Sequence, residues 1–436
     1  MRAELRDDVL AVASNDGSGT EMCYMFRRCM NNKLFTFSHV GRRAVAGRDT
    51  SSTAGVTTGA GITWLNLTGS DNIGPVGVQG YPDFVGGNHP WREPDSLGNP
   101  GRGGYSSVRT ATCDSVTITV DGVRLLDGHS RRCRQVVVDV WNTLMDPFVA
   151  PDSGAVALPC PLIIEHVTYT LQGNSIAVDL EHRYRRDFTV SRYYGMQSMF
   201  VGEEQIMLPG GACPEWQPRS SVGNMTKGDY PDFARFLEMD ANGWLQSSWL
   251  RHTGLGNHEG LGAASPIYVH AHPKSYDVLL DKCAVLADSA NHWSGIYTWA
   301  LPLANNSALL AYSGVIDGKE VIYIDTKREC DHYSIEVPEN WPGFRLIGHN
   351  GAIRIAGGTR FIHVTAPTAA SALVARTPYG DLTLDGTVDV SDIKAAIMLA
   401  LSADIDDSVL KIADLNNDNA IDVSDVNSII TLALSQ

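Results

Sequence analysis

The stretch that decides the fold of the large N-terminal region is Leu162-Ile-Ile-Glu-His-Val-Thr-Tyr-Thr170, followed by Gln172-Gly-Asn174 and by Ile176-Ala-Val-Asp-Leu-Glu-His-Arg-Tyr184. Both outer runs alternate apolar and polar residues, and β-branched side chains are frequent in the first. The short Gly-Asn connection between them predicts a long antiparallel hairpin. This part of the chain is therefore predicted to be β-structure.

Similar turn signals recur along the chain. Asp121-Gly122, Asp317-Gly318 and Asn350-Gly351 each lie between β-branched or alternating runs, and they predict three more hairpins. Helical periodicity is scarce, because only residues 229–239 and 274–287 offer short helix candidates. The sequence thus predicts a mainly β fold.

The length of this region indicates its organisation. About 370 residues of strands and turns exceed one ordinary sandwich, so we expect a large β super-sandwich over residues 1–376. Residues 1–110 are rich in Gly, Ser and Asn and are predicted to form a loop-rich subregion. A linker is expected at 366–378, and a small all-α module at 377–436.

Residues 381–392 and 414–425 repeat one acidic pattern. Each copy has oxygen-bearing side chains at loop positions 1, 3, 5, 9 and 12, and position 7 supplies a backbone carbonyl. This spacing suits the flexible oxygen shell of calcium better than the strict octahedron of magnesium. The predicted ligands of two Ca²⁺ sites are Asp381, Thr383, Asp385, Thr387, Asp389 and Asp392, then Asp414, Asn416, Asp418, Ala420, Asp422 and Asp425.

A helix is predicted after each loop, at 391–401 and 424–434, because apolar residues recur at helical spacing. Pro378-Tyr379-Gly380 precludes a helix directly before the first loop. This duplicated half-hand resembles a type I dockerin over residues 379–436. The resemblance implies a cohesin partner that is contacted at loop positions 10 and 11, which are Val390, Ser391, Val423 and Ser424. The alternative is a calcium-stabilised folding unit without a partner.

Composition excludes several classes of protein. The net charge of −15 is concentrated at the C-terminus, where residues 379–436 carry 11 Asp and 2 Lys. The sequence has no basic stripe of the kind that binds nucleic acid. It also has no run of 18 apolar residues of the kind that spans a membrane. Gly-x-Ser-x-Gly, Walker and dinucleotide motifs are absent, which disfavours esterases, ATPases and dehydrogenases. The eight cysteines lack metal-binding spacing and are expected to be free buried thiols, although one or two disulfides remain an alternative.

Asn88-His89, which follows two glycines, is the first candidate for catalysis. Glycines let a backbone approach a ligand closely, histidine accepts a proton near neutral pH, and an amide can bind a substrate carboxylate. A lyase acting on uronic acids needs such groups, together with an acid and a carboxylate-binding arginine. The other candidates are His182, Arg183, Tyr184 and Tyr194, with Tyr193, Arg185, Arg186 and Arg192 as alternatives. The competing interpretation is that Asn88 and His89 brace a turn.

Two other chemistries remain open. His270 and His272 share one strand face, so with His258 or Glu259 they could bind a further divalent metal. Glycoside hydrolysis needs two nearby carboxylates, and the predicted hairpin places Glu165 almost opposite Glu181. The wider set of carboxylate candidates is Glu165, Asp179, Glu181, Glu203, Glu204 and Glu215.

The dockerin resemblance implies a secreted, extracellular or cell-surface-attached protein. Because dockerins are mostly joined to carbohydrate-active enzymes, it also implies an enzyme that degrades a polysaccharide. The N-terminal region also weakly resembles secreted carbohydrate-active β-sandwich proteins, though no motif there names a family. Lyase-type cleavage of a uronic-acid-containing glycan is preferred, because Asn, His, Tyr and Arg candidates outnumber clear carboxylate pairs. The alternatives are a glycoside hydrolase and a non-catalytic carbohydrate-binding or adhesion protein.

Overall fold

The chain was analysed as a computed structural model, which describes residues 1–15, 19–29, 31–45, 56, 61–66, 73–152, 158–210, 213–226, 231–254, 267–269, 274–357, 360–402, 407–416 and 418–435. The chain forms two compact units, Met1–Ala300 and Leu301–Gln436. The predicted boundary after residue 376 lies inside the second unit.

The first unit is built from strands. They begin with β1 (Arg2–Arg6), β2 (Val9–Asn15), β3 (Thr20–Cys29), β4 (Leu34–Ala44), β5 (Thr63–Asn66), β6 (Val76–Val78), β7 (Phe84–Val85), β8 (Pro90–Arg92), β9 (Tyr105–Arg109), β10 (Ala111–Val120), β11 (Val123–Arg124) and β12 (His129–Arg132). They continue with β13 (Val136–Met145), β14 (Pro161–Gln172), β15 (Ser175–Tyr184), β16 (Phe188–Ser198), β17 (Glu203–Leu208), β18 (Cys213–Pro218), β19 (Phe236–Asp240), β20 (Leu245–Gly254), β21 (Ile267–Val269), β22 (Ser275–Val285) and β23 (Ala290–Ala300).

These strands form antiparallel sheets. A ten-stranded sheet has the order β11-β10-β13-β14-β15-β23-β20-β19-β17-β18, and a six-stranded sheet has the order β12-β1-β2-β3-β4-β5. A five-stranded sheet, β21-β22-β16-β6-β7, and the pair β8-β9 complete the described part of this unit. Phe26 and Phe37 of the six-stranded sheet meet Tyr169 of the ten-stranded sheet edge to face at 5.6 and 5.9 Å, so the two sheets share one core.

The second unit combines a smaller β-structure with helices. Its elements are β24 (Ala304–Asn305), β25 (Leu309–Ile316), β26 (Lys319–Thr326), β27 (Cys330–Glu336), β28 (Gly343–Asn350), β29 (Arg354–Gly357), β30 (Phe361–Ala366), β31 (Ala370–Thr377), α1 (Val390–Ala400), α2 (Asp407–Ala413) and α3 (Val423–Leu434). The sheet β24-β25-β26-β31-β28 and the sheet β27-β30-β29 share a core that includes Ile322, Val364 and Trp341.

The predicted fold class is confirmed: the chain is mainly β and ends in a small helical module. α1 and α3 lie where helices were expected, whereas α2 was not predicted. The long hairpin forms as β14 and β15, and Asp121-Gly122 and Asp317-Gly318 connect paired strands with positive φ at all four residues. All eight cysteines are free thiols, and six of them are buried. Among the described residues, no helix has the length and apolar character needed to cross a bilayer.

Three local predictions were wrong. Asn350-Gly351 does not close a hairpin, because β28 pairs with β31 while β29 pairs with β30. The helix candidate at 274–287 is strand β22, whose first six residues are all buried. Because this run is buried without interruption, it lacks the hydrophobic periodicity that distinguishes a strand from a helix. The other candidate, 229–239, includes a 3₁₀ turn at Pro231–Phe233 and the start of β19.

The expected linker is also a strand. β31 lies between β26 and β28, and its first six residues are buried. Its small alanine side chains suit a crowded position between two neighbouring strands, whereas in the sequence they suggested a flexible connection.

Candidate functional site

The Gly86-Gly87 turn is fixed from several sides. Both glycines have positive φ, +80° and +48°, which a side chain rarely tolerates. The fully buried Asn32 donates through Nδ2 to the carbonyl oxygens of Gly86, Gly87 and His89 at 2.9–3.1 Å. Its Oδ1 accepts from the backbone N–H of Thr110 at 2.9 Å. The backbone that carries Asn88 and His89 is therefore held by a side chain from the turn before β4.

His89 is paired with a buried carboxylate. Its Nδ1 lies 2.8 Å from Oδ1 of Asp83, whose side chain is 8% exposed, while the His89 side chain is 29% exposed. Burial alone would raise the pKa of Asp83, but the hydrogen bonds from His89 and from the Phe84 N–H outweigh it and lower that pKa. If Nδ1 carries the proton, the lone pair of Nε2 is left to act as a base.

Asn88 lies beside this pair and is oriented by a neighbour. Asn31 donates through Nδ2 to the carbonyl oxygen and to Oδ1 of Asn88, both at 3.1 Å. These bonds fix the amide through its oxygen. The Nδ2 donors of Asn88 form no hydrogen bond with the described residues and so are available to an acceptor such as a carboxylate.

Aromatic rings extend from His89 across the five-stranded sheet, and we call Phe84, Tyr194, Tyr268 and Tyr276 the aromatic strip. The Phe84 ring lies 5.2 Å from the His89 ring and 5.5 Å from Tyr194. Tyr194 lies 4.2 Å from Tyr276, and Tyr276 stacks on Tyr268 at 6.0 Å. Three of the four rings are half-buried, so part of the strip is open to a ligand.

Cationic side chains border the aromatic strip. The guanidinium of Arg192 lies 5.3 Å above Tyr268, and Nζ of Lys274 lies 5.8 Å from the ring centre of Tyr276. Arg192 also donates to Asp281 at 3.2 Å. Burial alone would lower the pKa of Arg192, but Tyr194 and Asp281 raise it above the ordinary value. This end of the surface is suited to an acidic ligand.

The remaining catalytic candidates do not share an exposed surface with His89. His182 and Tyr184 are each 1% exposed and face the core. Nε2 of His182 lies 2.8 Å from Oε2 of Glu165. Burial raises the pKa of the Tyr184 phenol far above its usual range. Arg183 points to the opposite face of β15, where it pairs with Glu181.

The predicted opposition of Glu165 and Glu181 was wrong by one residue. The turn pairs Gln172 with Ser175, so Glu165 lies opposite His182 and Glu181 lies opposite His166. A shift of one residue moves a side chain to the other face of a sheet. Glu165 is therefore in the core, where it also accepts from Asn142 at 2.9 Å, and Glu181 faces outward.

A small pocket lies on the inner side of the glycine turn. Gly86, Gly87, Asn142, Glu165 and Tyr169 contribute to its lining. Oδ1 of Asn142 is buried and has no hydrogen-bond partner among the described residues. The pocket thus lies between the turn that carries His89 and the buried pair His182–Glu165.

The outer face of the ten-stranded sheet carries a row of polar residues. Trp141, His166, Glu181 and His292 occupy matching positions on β13, β14, β15 and β23. His166 stacks on Trp141 at 4.0 Å and contacts Asp139 at 2.6 Å. Asp179 lies two residues before Glu181 on the same strand and face, and it contacts His292 at 2.9 Å. We call this set the outer row.

The alternative metal site at His258, Glu259, His270 and His272 lies outside the described residues.

The two acidic loops have nearly identical backbone hydrogen bonds. In the first, Asp381 accepts from the N–H groups of Asp385 and Gly386, and Asp392 accepts from those of Leu382, Thr383 and Asp389. The second repeats every bond 33 residues later, with Asp414 accepting from Asp418 and Asn419 and Asp425 accepting from Leu415, Asn416 and Asp422.

Each loop leads directly into a helix. The position-9 residues, Asp389 and Asp422, are the N-caps of α1 and α3, and the position-12 residues complete capping boxes. The position-6 residues, Gly386 and Asn419, have φ of +95° and +67°, the region favoured by glycine and tolerated by asparagine. The loop conformation thus follows from local sequence.

The second loop offers a donor set that fits a hard cation. Carboxylate oxygens of Asp414, Asp418 and Asp425 lie within 4.8 Å of one another, and two of these residues are buried. Three converging carboxylates repel one another in a poorly solvated site, and calcium binding would offset this cost. The residues present therefore fit Ca²⁺. In the first loop Asp381 and Asp392 are fully buried, and burial followed by the charge of Asp392 raises the pKa of Asp381.

The predicted partner-contact residues are at the surface. Val390 and Val423 are 64% and 72% exposed at equivalent positions of α1 and α3, and Ser391 and Ser424 are exposed beside them. Leu401 and Leu434, at the far ends of the same helices, are also exposed. The two helices therefore present apolar residues to solvent in matching places.

Comparison with known proteins does not assign a family. No family model matches the sequence, and no curated protein matches it. Among solved structures, similarity was found to the galactosidase domain of the α-galactosidase-sucrose kinase AgaSK, with 9% identity over 69% of this chain and 42% of that chain and a TM-score of 0.35. The Slr1438 protein of Synechocystis sp. PCC 6803 has 9% identity over 67% of this chain and 96% of its own, with a TM-score of 0.29.

A third similar structure is the chondroitin AC lyase of Streptomyces coelicolor A3 in complex with chondroitin sulphate. It has 9% identity, covers 85% of this chain and 49% of its own, and has a TM-score of 0.22. The matched part spans less than half the length of this lyase and of the galactosidase-domain chain. Sequence identities and TM-scores this low do not support a conclusion about activity.

Proposed function

We propose that the first unit is a carbohydrate-active enzyme that cleaves a uronic-acid-containing glycan by β-elimination. The observation that carries this proposal is the Asp83–His89 pair beside a half-exposed aromatic strip with a cationic border. The sugar rings would stack on the tyrosines, and Arg192 would bind a carboxylate of the chain.

The reaction assigns one role to each group. Nε2 of His89 takes the proton at C5 of the uronate while Asp83 holds the ring through Nδ1, and the amide of Asn88 binds the substrate carboxylate. The electron pair released at C5 forms the C4–C5 double bond and expels the glycosidic oxygen from C4. Tyr194 gives its phenolic proton to that oxygen, so charge and protons balance.

This assignment is tested with a panel of alginate, polygalacturonate, hyaluronan and chondroitin. We expect the ultraviolet absorbance of an unsaturated product on at least one of them. His89→Ala should reduce this rate by about 10²–10⁴-fold, and Tyr194→Phe should act in the same direction. His363→Ala is the control, because this exposed histidine bonds to Ser334 in the second unit. No unsaturated product on any of the four, or a fully active His89→Ala variant, would refute the proposal.

Hydrolysis is the second candidate, and the outer row favours it. Asp179 and Glu181 lie two residues apart on one strand, so their Cα atoms are about 7 Å apart, comparable to the carboxyl separations of glycosidases. Trp141 could stack a sugar ring nearby. New reducing ends without an unsaturated product, lost in both Asp179→Asn and Glu181→Gln, would establish this activity instead.

We propose that the C-terminal module binds two Ca²⁺ ions and docks onto a cohesin module of a scaffold or cell-surface protein. Such a partner implies that the protein is secreted. The matched loops and the exposed Val390 and Val423 support it. We expect calcium-dependent binding to a type I cohesin. Because the two helices present equivalent surfaces, Val390→Asp or Val423→Asp alone should weaken binding less than both together. Binding that persists in excess chelator would refute this mode.

A further inference from the structure

The two acidic loops differ in their surroundings, although the bonds that their aspartates accept from backbone N–H groups match. Arg345 of β28 lies against position 6 of the first loop. A Cβ atom added at Gly386 would lie 2.6 Å from Cζ and 2.8 Å from Nε of Arg345, so the guanidinium packs directly against this glycine and would have to shift if a side chain were present. In the second loop the equivalent residue is Asn419, which already carries a side chain.

The guanidinium places a positive charge at the first loop. It lies against Gly386, the residue that directly follows Asp385. Asp385 is a predicted ligand at position 5, so the arginine and a calcium ion would attract the same carboxylate and repel each other.

The backbone of Arg345 is held in the sheet, but its guanidinium does not have a full set of hydrogen-bond partners. It pairs with Ala375 within the sheet, whereas its buried Nε has no hydrogen-bond partner among the described residues. An unsatisfied donor beside acidic groups favours keeping the guanidinium next to the loop. Within the described part of the chain, carboxylate oxygens converge as a group of three only at Asp414, Asp418 and Asp425, in the second loop.

We propose that Arg345 acts as an internal counter-charge that makes loop 381–392 the weaker of the two calcium sites. Calcium fills loop 414–425 first, and it enters the first loop only by displacing the guanidinium from its position against Gly386. Calcium uptake at the first loop is thereby coupled to a contact with strand β28. This inference rests on the proposed calcium function and concerns the difference between its two sites.

The test is calcium titration calorimetry on the chelator-stripped full chain. Asp385→Ala removes a ligand from the first loop and Asp418→Ala the equivalent one from the second, so each variant reports on the other loop. We expect the site left in Asp418→Ala to bind at least tenfold more weakly than the site left in Asp385→Ala. Adding Arg345→Met to Asp418→Ala should restore at least about tenfold in affinity and leave the Asp385→Ala site unchanged.

The controls distinguish a failure of this inference from a failure of the calcium proposal. Arg345→Met keeps most of the packing of the side chain, and Arg345→Ala is the second variant should the first not fold. Arg360→Ala, which breaks the exposed ion pair with Glu336, should change neither site. Equal affinities in the two single-loop variants, or no gain from Arg345→Met, would overturn this inference alone. No calcium uptake by the unaltered chain would overturn the calcium proposal as well.

Discussion

Two histidine–carboxylate pairs in the first unit have the same contact distance but different surroundings. His182 and Glu165 are 2.8 Å apart with side chains only 1% and 5% exposed, whereas His89 and Asp83 are also 2.8 Å apart but His89 is 29% exposed. The buried pair is closed in by Asn142 and by the ring of Tyr193, 4.9 Å from His182. Contact geometry alone therefore does not identify a catalytic histidine; exposure to a ligand surface must be considered with it.

The largest expected effect is on stability, at the buried pair. His182→Ala leaves Glu165 in the core with only the Asn142 bond, and removing a partner that compensates a buried carboxylate costs about 3–5 kcal/mol. Denaturant unfolding should show this loss. His89→Ala, measured in parallel, should cost less, because the His89 side chain is 29% exposed and water can enter the space that it leaves beside Asp83. Equal losses in the two variants would contradict the distinction between the pairs.

The second effect is on turnover, at the exposed pair. Asp83→Asn removes the charge that orients His89, and we expect kcat to fall at least about tenfold, or about 1.4 kcal/mol of transition-state stabilisation. KM should remain unchanged, because Asp83 acts on the histidine and not on the substrate. A rise in KM at constant kcat would show instead that Asp83 contributes to binding.

Parts of this arrangement are predictable from local sequence. The spacing of apolar residues after each acidic loop predicted the starts of α1 and α3 within a residue, and the structure adds a capping box formed by the position-9 and position-12 aspartates. Two-residue turns such as Asp317-Gly318 determine a hairpin because both φ values must be positive. Such features depend only on residues close together in the chain.

Other parts depend on contacts that no local pattern encodes. Asn32 reaches the glycine turn from more than 50 residues away, and Arg345 reaches the first calcium loop from another strand. Asp83 was missed as well, although its position six residues before His89, across a turn with two glycines, was a usable signal. The register of β14 and β15 required the turn length to within one residue, and that single residue decided whether Glu181 shared a face of the sheet with Glu165.

A smaller effect concerns the pH dependence of stability at Asp83. Its pKa is lowered in the folded protein, so the carboxylate stabilises the fold above the ordinary aspartate pKa of about 4, and this contribution is lost as pH falls through the lower folded value. The unaltered chain should therefore be more stable than Asp83→Asn at neutral pH, and the difference should shrink below about pH 4. Unfolding curves for both proteins at several pH values measure it. A difference that grows on acidification would reverse the sign of the argument.

The smallest effect is expected for a third pair, His292–Asp179 on the outer row. The side chains are 42% and 60% exposed, although Nε2 and Oδ2 are only 2.9 Å apart. Water and salt screen such a pair, so His292→Ala should change the free energy of unfolding by less than about 1 kcal/mol. If the outer row hydrolyses a glycan, the same variant should still alter the pH profile of reducing-end release, because Asp179 would lose its neighbour. A stability loss comparable to that of His182→Ala would mean that burial does not govern the strength of these pairs.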